Sequence, residues 1–129
     1  MAIDFNKNSV WNLTPIDVRD VENGVSELFL NDEKVLAAFK TIRDQLVFTN
    51  KRIIAIDVQG VTGKRKSYAT MPYNKIQYFT IQTPAFAELI SDSELFLMFS
   101  NGFTATFEFK GKTNIRGIGR LISSYVLRD

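Results

Sequence analysis

Three consecutive cations, Lys64, Arg65 and Lys66, follow a glycine-containing turn in the middle of the chain. Ammonium and guanidinium groups at such a turn can hold a phosphate or carboxylate group through charge-assisted hydrogen bonds. Lys51 and Arg52 precede the adjoining strand pattern and are candidates to join them. We therefore predict an anion-binding surface made by these five residues. The alternative is that residues 64–66 are a solvated hairpin tip whose charges keep the sheet edge soluble.

The sequence lacks the side chains that most often carry catalysis and metal binding. It contains no His and no Cys, which excludes the commonest general base, the commonest metal ligand and thiolate zinc sites. Gly60 and Gly63 have two residues between them, whereas the Walker phosphate loop needs four and then opens a helix. We predict a protein that is not an enzyme and that has no metal site and no cofactor.

Length and charge narrow the class of protein further. A chain of 129 residues predicts one folded domain. The net charge of +2 is too mild for a nonspecific nucleic-acid binder, so no nucleic-acid partner is expected. No apolar run approaches the roughly 20 residues of a membrane helix, and residues 1–11 lack the basic start and apolar block of a signal peptide. The predicted location is the cytoplasm.

The N-terminal part of the chain carries the signals of a helix. Thr14 is placed as an N-cap, Pro15 at the first helical position and Asp17 as the acid three residues after the cap. Apolar side chains then recur at helical spacing around an interrupting Gly24, at Val18, Val21, Val25 and Leu28. We predict that residues 1–26 are an arm with a short helix and that residues 27–129 are the domain.

From residue 33 onward the apolar pattern becomes that of strands. The segment Ile53–Ile56 is continuously apolar, as expected for a central strand that is covered on both faces. Asn101 and Gly102 favour a tight hairpin turn, and apolar residues alternate with polar ones in the segment that follows them. The predicted strands are residues 35–39, 45–49, 52–58, 67–71, 76–83, 94–99 and 103–109.

Helical periodicity returns after Gly111. One apolar face is formed by Ile115, Ile118, Leu121, Ile122, Tyr125 and Val126. Gly117 and Gly119 weaken this helix, and close packing against a sheet is the reason expected for them. The predicted fold is mainly β with helices: a bent antiparallel sheet or partly open barrel of about seven strands, capped by the C-terminal amphipathic helix and preceded by the short N-terminal one.

One predicted strand has two apolar faces. Leu95 and Leu97 point opposite to Phe96 and Met98, and Phe86 and Leu89 add apolar surface nearby. One face of the strand packs in the core. The other must be covered by the N-terminal helix or by another subunit, so Phe96, Met98, Phe86 and Leu89 are the predicted oligomer interface.

The chain resembles the bacterial pleckstrin-homology (PH)-like domain family over roughly residues 27–127. The resemblance rests on a series of short segments, of which the central ones are fairly specific: residues 31–34, 39–40, 43–44, 47–52, 56–60, 62–64 and 72–73 with Ile76. The chain departs from similar proteins after Thr83, where residues 84–89 (PAFAEL) replace a small segment that contains Gly.

The resemblance implies a PH-like barrel and a homo-oligomer that is often ring-like. It does not imply lipid binding, because one fold hosts unrelated functions. PH domains that bind phosphoinositides use a basic loop between their first two strands, and the corresponding residues 41–44 contain one cation and one anion. A self-associating interaction scaffold, with a protein partner, is the first functional prediction. The alternative is a module whose residues 64–66 bind an anion or an acidic lipid headgroup.

Overall fold

The computed structural model describes residues 9–60, 62–84 and 92–128, apart from the side chain of Trp11. Within these residues the chain forms eight strands, three short 3₁₀ helices and one α-helix. The strands are β1 (Ser9–Ile16), β2 (Val35–Lys40), β3 (Gln45–Thr49), β4 (Arg52–Gln59), β5 (Arg65–Pro72), β6 (Ile76–Gln82), β7 (Ser93–Phe99) and β8 (Thr104–Phe109). The 3₁₀ helices are Val18–Asp20, Asn23–Leu28 and Tyr73–Lys75, and α1 is Ile115–Val126.

The strands form one bent sheet in the order β5-β4-β3-β2-β1-β8-β7-β6. Consecutive strands from β2 to β5 and from β6 to β8 pair antiparallel, as hairpin connections require. β1 joins the two halves, because it pairs antiparallel with β2 and parallel with β8. The sheet is not closed, since β5 and β6 stand at its two ends. The predicted PH-like fold is confirmed, with one more strand than expected.

The predicted helix start at Thr14 is wrong. Residues 9–16 are the strand β1, and the helical turns that follow are 3₁₀ helices rather than an α-helix. Asp17, not Thr14, caps the first turn by accepting a hydrogen bond from the Arg19 N–H at 2.8 Å. Pairing with two strands that are distant in sequence overrides the local helix signals. Residues 1–8 of the predicted arm lie outside the described residues, and the boundary at residue 26 stays a prediction.

The main core lies inside the bend, between the two halves of the sheet and α1. The apolar residues of β7 and β8 face it at alternate positions, and Leu95, Leu97, Ala105, Phe107 and Phe109 are all fully buried. This confirms the alternation predicted for the hairpin at residues 94–109. Leu13 of β1 is buried among them and completes the contact between the two halves.

A second apolar cluster lies on the outer face of β3 and β4. It contains Val47, Ile54 and Ile56, which are covered by Val25 of the second 3₁₀ helix. The central strand β4 is therefore buried on both faces, as its continuous apolar run predicted. Residues 21–29, which contain this 3₁₀ helix and precede β2 in the chain, form what we call the N-terminal cover of this half of the sheet.

The helix α1 caps the open end of the bent sheet through its apolar face, which confirms that prediction. Tyr125 stacks on Tyr73 with ring centroids 4.7 Å apart, and the Tyr73 hydroxyl donates to the Thr49 carbonyl at 2.7 Å. A Cβ on Gly119 would come within 3.1 Å of Ile81, so close packing against β6 explains this glycine. The helix is too short to cross a membrane, as are the other described helices.

Candidate functional site

The predicted basic loop lies at the turn between β4 and β5. Lys64, Arg65 and Lys66 are all exposed there. The Lys66 ammonium, however, donates to the Glu22 carboxylate at 2.6 Å, and the Tyr68 hydroxyl donates to the same carboxylate at 2.9 Å. Lys66 therefore ties β5 to the N-terminal cover, and Lys64 and Arg65 are the cations of this loop that are available to an anion.

The Glu22 carboxylate is held charged by these two partners. Burial alone would raise the pKa of Glu22, but the hydrogen bonds from Lys66 and Tyr68 outweigh burial and lower the pKa. Burial and the neighbouring Glu22 carboxylate raise the pKa of the Tyr68 hydroxyl to about 12. The tyrosine is therefore a neutral donor at physiological pH, and the group acts as a structural tie.

The structure does not bring Lys51 and Arg52 to the basic loop. Arg52 pairs with Pro72 at one end of the β4–β5 ladder, whereas Gln59 pairs with Arg65 at the other. Seven residues of strand separate the two ends by about 23 Å. Lys51 forms an ion pair with Asp32 at 3.2 Å. The five predicted cations therefore lie in two separate places.

Arg52 belongs to a buried ion pair. Its guanidinium donates to both carboxylate oxygens of Glu33, at 2.8 and 2.9 Å, and also to the Leu28 carbonyl at 2.6 Å. Thr49 donates to the same carboxylate at 2.7 Å. Burial would raise the pKa of Glu33, but the hydrogen bonds from Arg52, from the Leu30 N–H and from Thr49 lower it to about 2. This cluster anchors the N-terminal cover to the sheet.

Sequence reasoning missed a feature of the β2–β3 turn. The Ile42 side chain is 100% exposed at the tip of this turn, between the exposed Lys40 and Arg43. The Arg43 guanidinium donates to the Gly60 carbonyl at 2.5 Å, so this turn lies against the β4–β5 turn. An isoleucine flanked by cations in a four-residue hairpin connection was the signal in the sequence that could have indicated it.

Two carboxylates approach each other behind these turns. Asp44 accepts a hydrogen bond from the Val58 N–H at 3.1 Å, and Gln59 donates to Asp57 at 2.8 Å. Burial raises the pKa of Asp44, and the hydrogen bond from the Val58 N–H lowers it. The negative charge of Asp57 and its hydrogen bond to Asp44 raise this pKa further, so the net shift is upward. Groups of three or more Asp and Glu that could hold a metal ion do not occur among the residues that the structure describes.

The outer face of β6–β8 carries the apolar residues predicted for an interface. Phe96 and Met98 are half-buried on the side of β7 opposite to the buried Leu95 and Leu97. The Tyr78 ring of β6 is 53% exposed and packs edge-on against Phe96, with centroids 6.3 Å apart. We call Tyr78, Phe96 and Met98 the outer apolar patch. The other two predicted interface residues, Phe86 and Leu89, lie outside the described residues.

Carboxylates border one end of the outer apolar patch. Glu94 of β7 stands directly opposite Glu108 of β8. Burial raises the pKa of Glu108, and the nearby Asp92 and Glu94 charges raise it further, against the effect of Lys110. The outer face is thus apolar in its middle and negatively charged toward the start of β7.

Comparison with known proteins agrees with the fold and its geometry. The sequence model of the bacterial PH domain matches residues 4–126. The protein YjqA of Bacillus subtilis is 31% identical over 120 residues, which are 93% of this chain and 96% of YjqA. YozO of the same organism is 29% identical over 99 residues, covering 77% of this chain and 83% of YozO. Both relatives are uncharacterized.

Two crystal structures from Shewanella are similar to this chain. A DUF1696-family protein with a pleckstrin-homology domain from Shewanella loihica is 33% identical with a TM-score of 0.75, covering 90% of this chain and 98% of that one. A pleckstrin homology domain from Shewanella amazonensis is 36% identical with a TM-score of 0.63, covering 85% and 88%. The eight-stranded sheet, its capping helix and these matches show that the chain belongs to the bacterial PH domain family.

Proposed function

We propose that this PH-like domain associates with copies of itself through the outer apolar patch and serves as a non-enzymatic interaction scaffold. The observation that carries the proposal is an aromatic and aliphatic cluster on the outside of the sheet, with Tyr78 53% exposed. Exposed contiguous apolar side chains rimmed by polar ones are typical of protein–protein interfaces. Here threonines form the rim, at Thr80, Thr104 and Thr106.

Among the residues that the structure describes, the helices that could cover the patch within the chain pack elsewhere. The second 3₁₀ helix packs through Val25 on β3 and β4, in the other half of the sheet. The helix α1 packs through Ile115, Ile118 and Ile122 on the inside of the bend. Of the two covers that the sequence left open, another subunit is therefore favoured over the N-terminal helix. A closed symmetric assembly, such as a ring, would cover the patch on every copy.

The native mass in solution tests the proposal. Light scattering on a sizing column should give a fixed multiple of 14.7 kDa over a range of concentrations. Phe96→Glu and Met98→Glu should each give a smaller, folded particle, because a buried unpaired charge opposes association. Leu36→Glu is the matched control, since Leu36 is also an exposed apolar residue but lies on β2.

Two outcomes would contradict the self-association proposal. A wild-type protein that is a monomer at every concentration would contradict the self-association proposal. An assembly of unchanged mass in the Phe96→Glu and Met98→Glu variants would place the interface elsewhere. If these variants unfold, Tyr78→Glu gives the same test at a more exposed position of the patch.

We propose as a second candidate that the turn end of β2–β5 binds anionic lipid headgroups. The observation that favours it is the fully exposed Ile42 between Lys40 and Arg43, on the same end of the sheet as Lys64 and Arg65. An apolar side chain at a tip can enter the headgroup region while neighbouring cations attract the anionic surface. Of the predicted site, Lys64 and Arg65 support this role; Lys66 is paired with Glu22.

Sedimentation with vesicles of phosphatidylcholine, with and without phosphatidylserine, tests the second candidate. Binding should require phosphatidylserine, weaken with salt, and fall on Lys64→Ala with Arg65→Ala and separately on Ile42→Ser. Adding Lys66→Ala to the Lys64→Ala and Arg65→Ala pair should lower vesicle binding little further, because Lys66 is already paired with Glu22. Lys34→Ala is the control, because Lys34 is an exposed cation at the opposite end of β2, where its N–H donates a hydrogen bond to the Asn50 side chain. Vesicle binding that none of these replacements alters would reject this site.

The cytoplasmic location stays a prediction from the sequence.

A further inference from the structure

A groove runs along the free edge of the sheet at β5. Among the described residues, β5 pairs with β4 alone and stands at one end of the strand order. The groove has a volume of about 450 Å³ and is bordered by residues 69–72 of β5 and, across from them, by Phe99 and Phe103. Successive side chains of a strand point to opposite faces. A groove that touches residues 69–72 in succession therefore follows the edge of the strand.

The floor of this edge groove is apolar. Met71 and Phe99 belong to the main core, and Phe103 packs against that core with its ring centroid 5.7 Å from that of Phe99. Lys75, Ser100 and Asn101 supply polar groups at the rim. Sites that bind a peptide side chain combine such an apolar floor with a polar rim.

The backbone of β5 provides hydrogen-bonding groups along the same groove. In an antiparallel pair, alternate residues direct their N–H and C=O groups away from the partner strand. On an edge strand these groups form a template for one more extended segment. Addition of a peptide strand to a free sheet edge is a general mode of recognition in which the backbone gives affinity and side-chain pockets give specificity.

Charge at the far end of β5 defines the chemistry of the partner. Ala69 and Met71 face the core side of the sheet, so Arg65 lies on the same side of the strand by its period of two. Arg65 is exposed and stands about 20 Å from Met71 along the strand. Lys64 precedes it and Lys75 lies at the opposite end of the groove. An extended segment lying here would meet cations at both ends and an apolar floor between them.

We propose that the free edge of β5 binds an acidic, extended peptide segment of a partner protein. The segment pairs antiparallel with β5, the arrangement that is the more stable per residue. Two of its alternate apolar side chains lie opposite Met71 and Ala69, and a carboxylate further along lies opposite Arg65. This edge is separate from the outer apolar patch, so the inference stands or falls independently of self-association.

A synthetic peptide of about nine residues tests the inference, since that length spans β5 at 3.3 Å per residue. The probe carries isoleucine at its first and third positions, glutamate at its seventh and threonine elsewhere, with a fluorescent label. Fluorescence anisotropy should show saturable binding to the wild-type protein. Arg65→Glu should weaken binding at least about tenfold, and a probe with lysine at its seventh position should recover binding to that variant.

Backbone hydrogen exchange shows where the peptide lies. The amides of β5 that face away from β4 should become protected when the peptide is added, while those of β6, the other edge, should not change. Arg120→Glu is the matched control, because Arg120 is an exposed arginine on α1, and it should bind the probe like the wild type. Phe103→Ala should also weaken binding at least about tenfold by removing one wall of the groove. If the Phe103→Ala variant unfolds, the inference is still tested by Arg65→Glu and the probe with lysine at its seventh position.

Several outcomes would overturn the inference. The probe failing to bind at millimolar concentration, or binding equally well to Arg65→Glu, would reject it. Protection that appears at β6 or on the outer apolar patch would place the peptide elsewhere. Protection of the β5 amides that rises with protein concentration without any peptide would show that a second copy of this chain occupies the edge instead.

Discussion

Glu33 shows how much a single position of this chain depends on its neighbours. It sits in the segment 31–34 on which the family resemblance partly rests, yet nothing in that segment reveals its partners. In the folded protein its side chain is 0% exposed and receives hydrogen bonds from Arg52, Thr49 and the Leu30 N–H. A buried carboxylate is stable only when it is paired in this way.

We predict that Glu33→Gln destabilises the protein in a pH-dependent manner. The pKa of Glu33 is lowered from 4.5 to about 2, so the ionised carboxylate stabilises the fold above pH 4.5 and this contribution is lost as pH falls toward 2. The loss should be about 3 kcal/mol at pH 7 and should shrink steadily between pH 4.5 and 2. Urea unfolding at several pH values measures it. A difference that does not depend on pH would contradict the ionic explanation, and Asp17→Asn at the exposed Arg19 pair should change nothing measurable.

Asn12 provides a second test at the scale of one residue. Its φ of 63° lies in the left-handed region, at the irregularity of β1 between Val10 and Leu13. Asn and Gly tolerate this conformation, whereas a β-branched side chain costs about 1–2 kcal/mol there. Asn12→Val should therefore lower the melting temperature and Asn12→Gly should leave it nearly unchanged. Equal melting temperatures for the two variants would contradict this view of the bulge.

At the scale of elements, local patterns predicted those parts of the fold in which neighbours in sequence are also neighbours in space. The β7–β8 hairpin follows from the alternation of its apolar residues and its Asn101-Gly102 turn. The helix α1 follows from its apolar face and the residue that caps it. Asn114 is that cap, and it accepts a hydrogen bond from the Gly117 N–H at 3.0 Å. A Cβ on Gly117 would meet the Asn114 side chain at 2.7 Å, so this glycine makes room for the cap rather than for the sheet.

We predict that Asn114→Ala destabilises the protein by about 1 kcal/mol, because the first turn of α1 loses the side chain that caps it. Asn114→Asp should retain the stability, since a carboxylate accepts the same hydrogen bond and is favoured at a helix N-terminus. Chemical denaturation of the three proteins measures the differences. Equal losses in both variants would show that the amide of Asn114 is needed for something other than capping.

At the scale of the whole molecule, β1 holds the two halves of the sheet together. It pairs with β2 on one side and with β8 on the other, and its Leu13 carbonyl accepts a hydrogen bond from the Lys110 N–H at 2.8 Å. The Leu13 side chain is fully buried in the main core. The order of the strands therefore depends on a segment that its own residues would have placed in an arm.

We predict that Leu13→Ala destabilises the protein by about 2–5 kcal/mol, as expected for a fully buried leucine whose removal leaves a cavity. Val18→Ala is the control, because Val18 follows β1 in the chain but its side chain is 44% exposed. It should change stability by less than about 0.5 kcal/mol. Thermal and urea unfolding of both variants provide the measurement. A loss at Leu13 no larger than that at Val18 would contradict the role given to β1.

The sequence by itself determined the family, the strand periodicity from β2 to β8, the amphipathic C-terminal helix and the doubly apolar β7. These properties are local, because a period of two or of 3.6 is written into adjacent residues. Only the tertiary structure decided that residues 9–16 form a strand, that β4 separates Arg52 from Arg65, and that Lys66 is paired with Glu22. Each of these depends on contacts between residues far apart in the chain. Whether a cation is paired, and whether a sheet edge is free, therefore depends on which strands become neighbours in the fold.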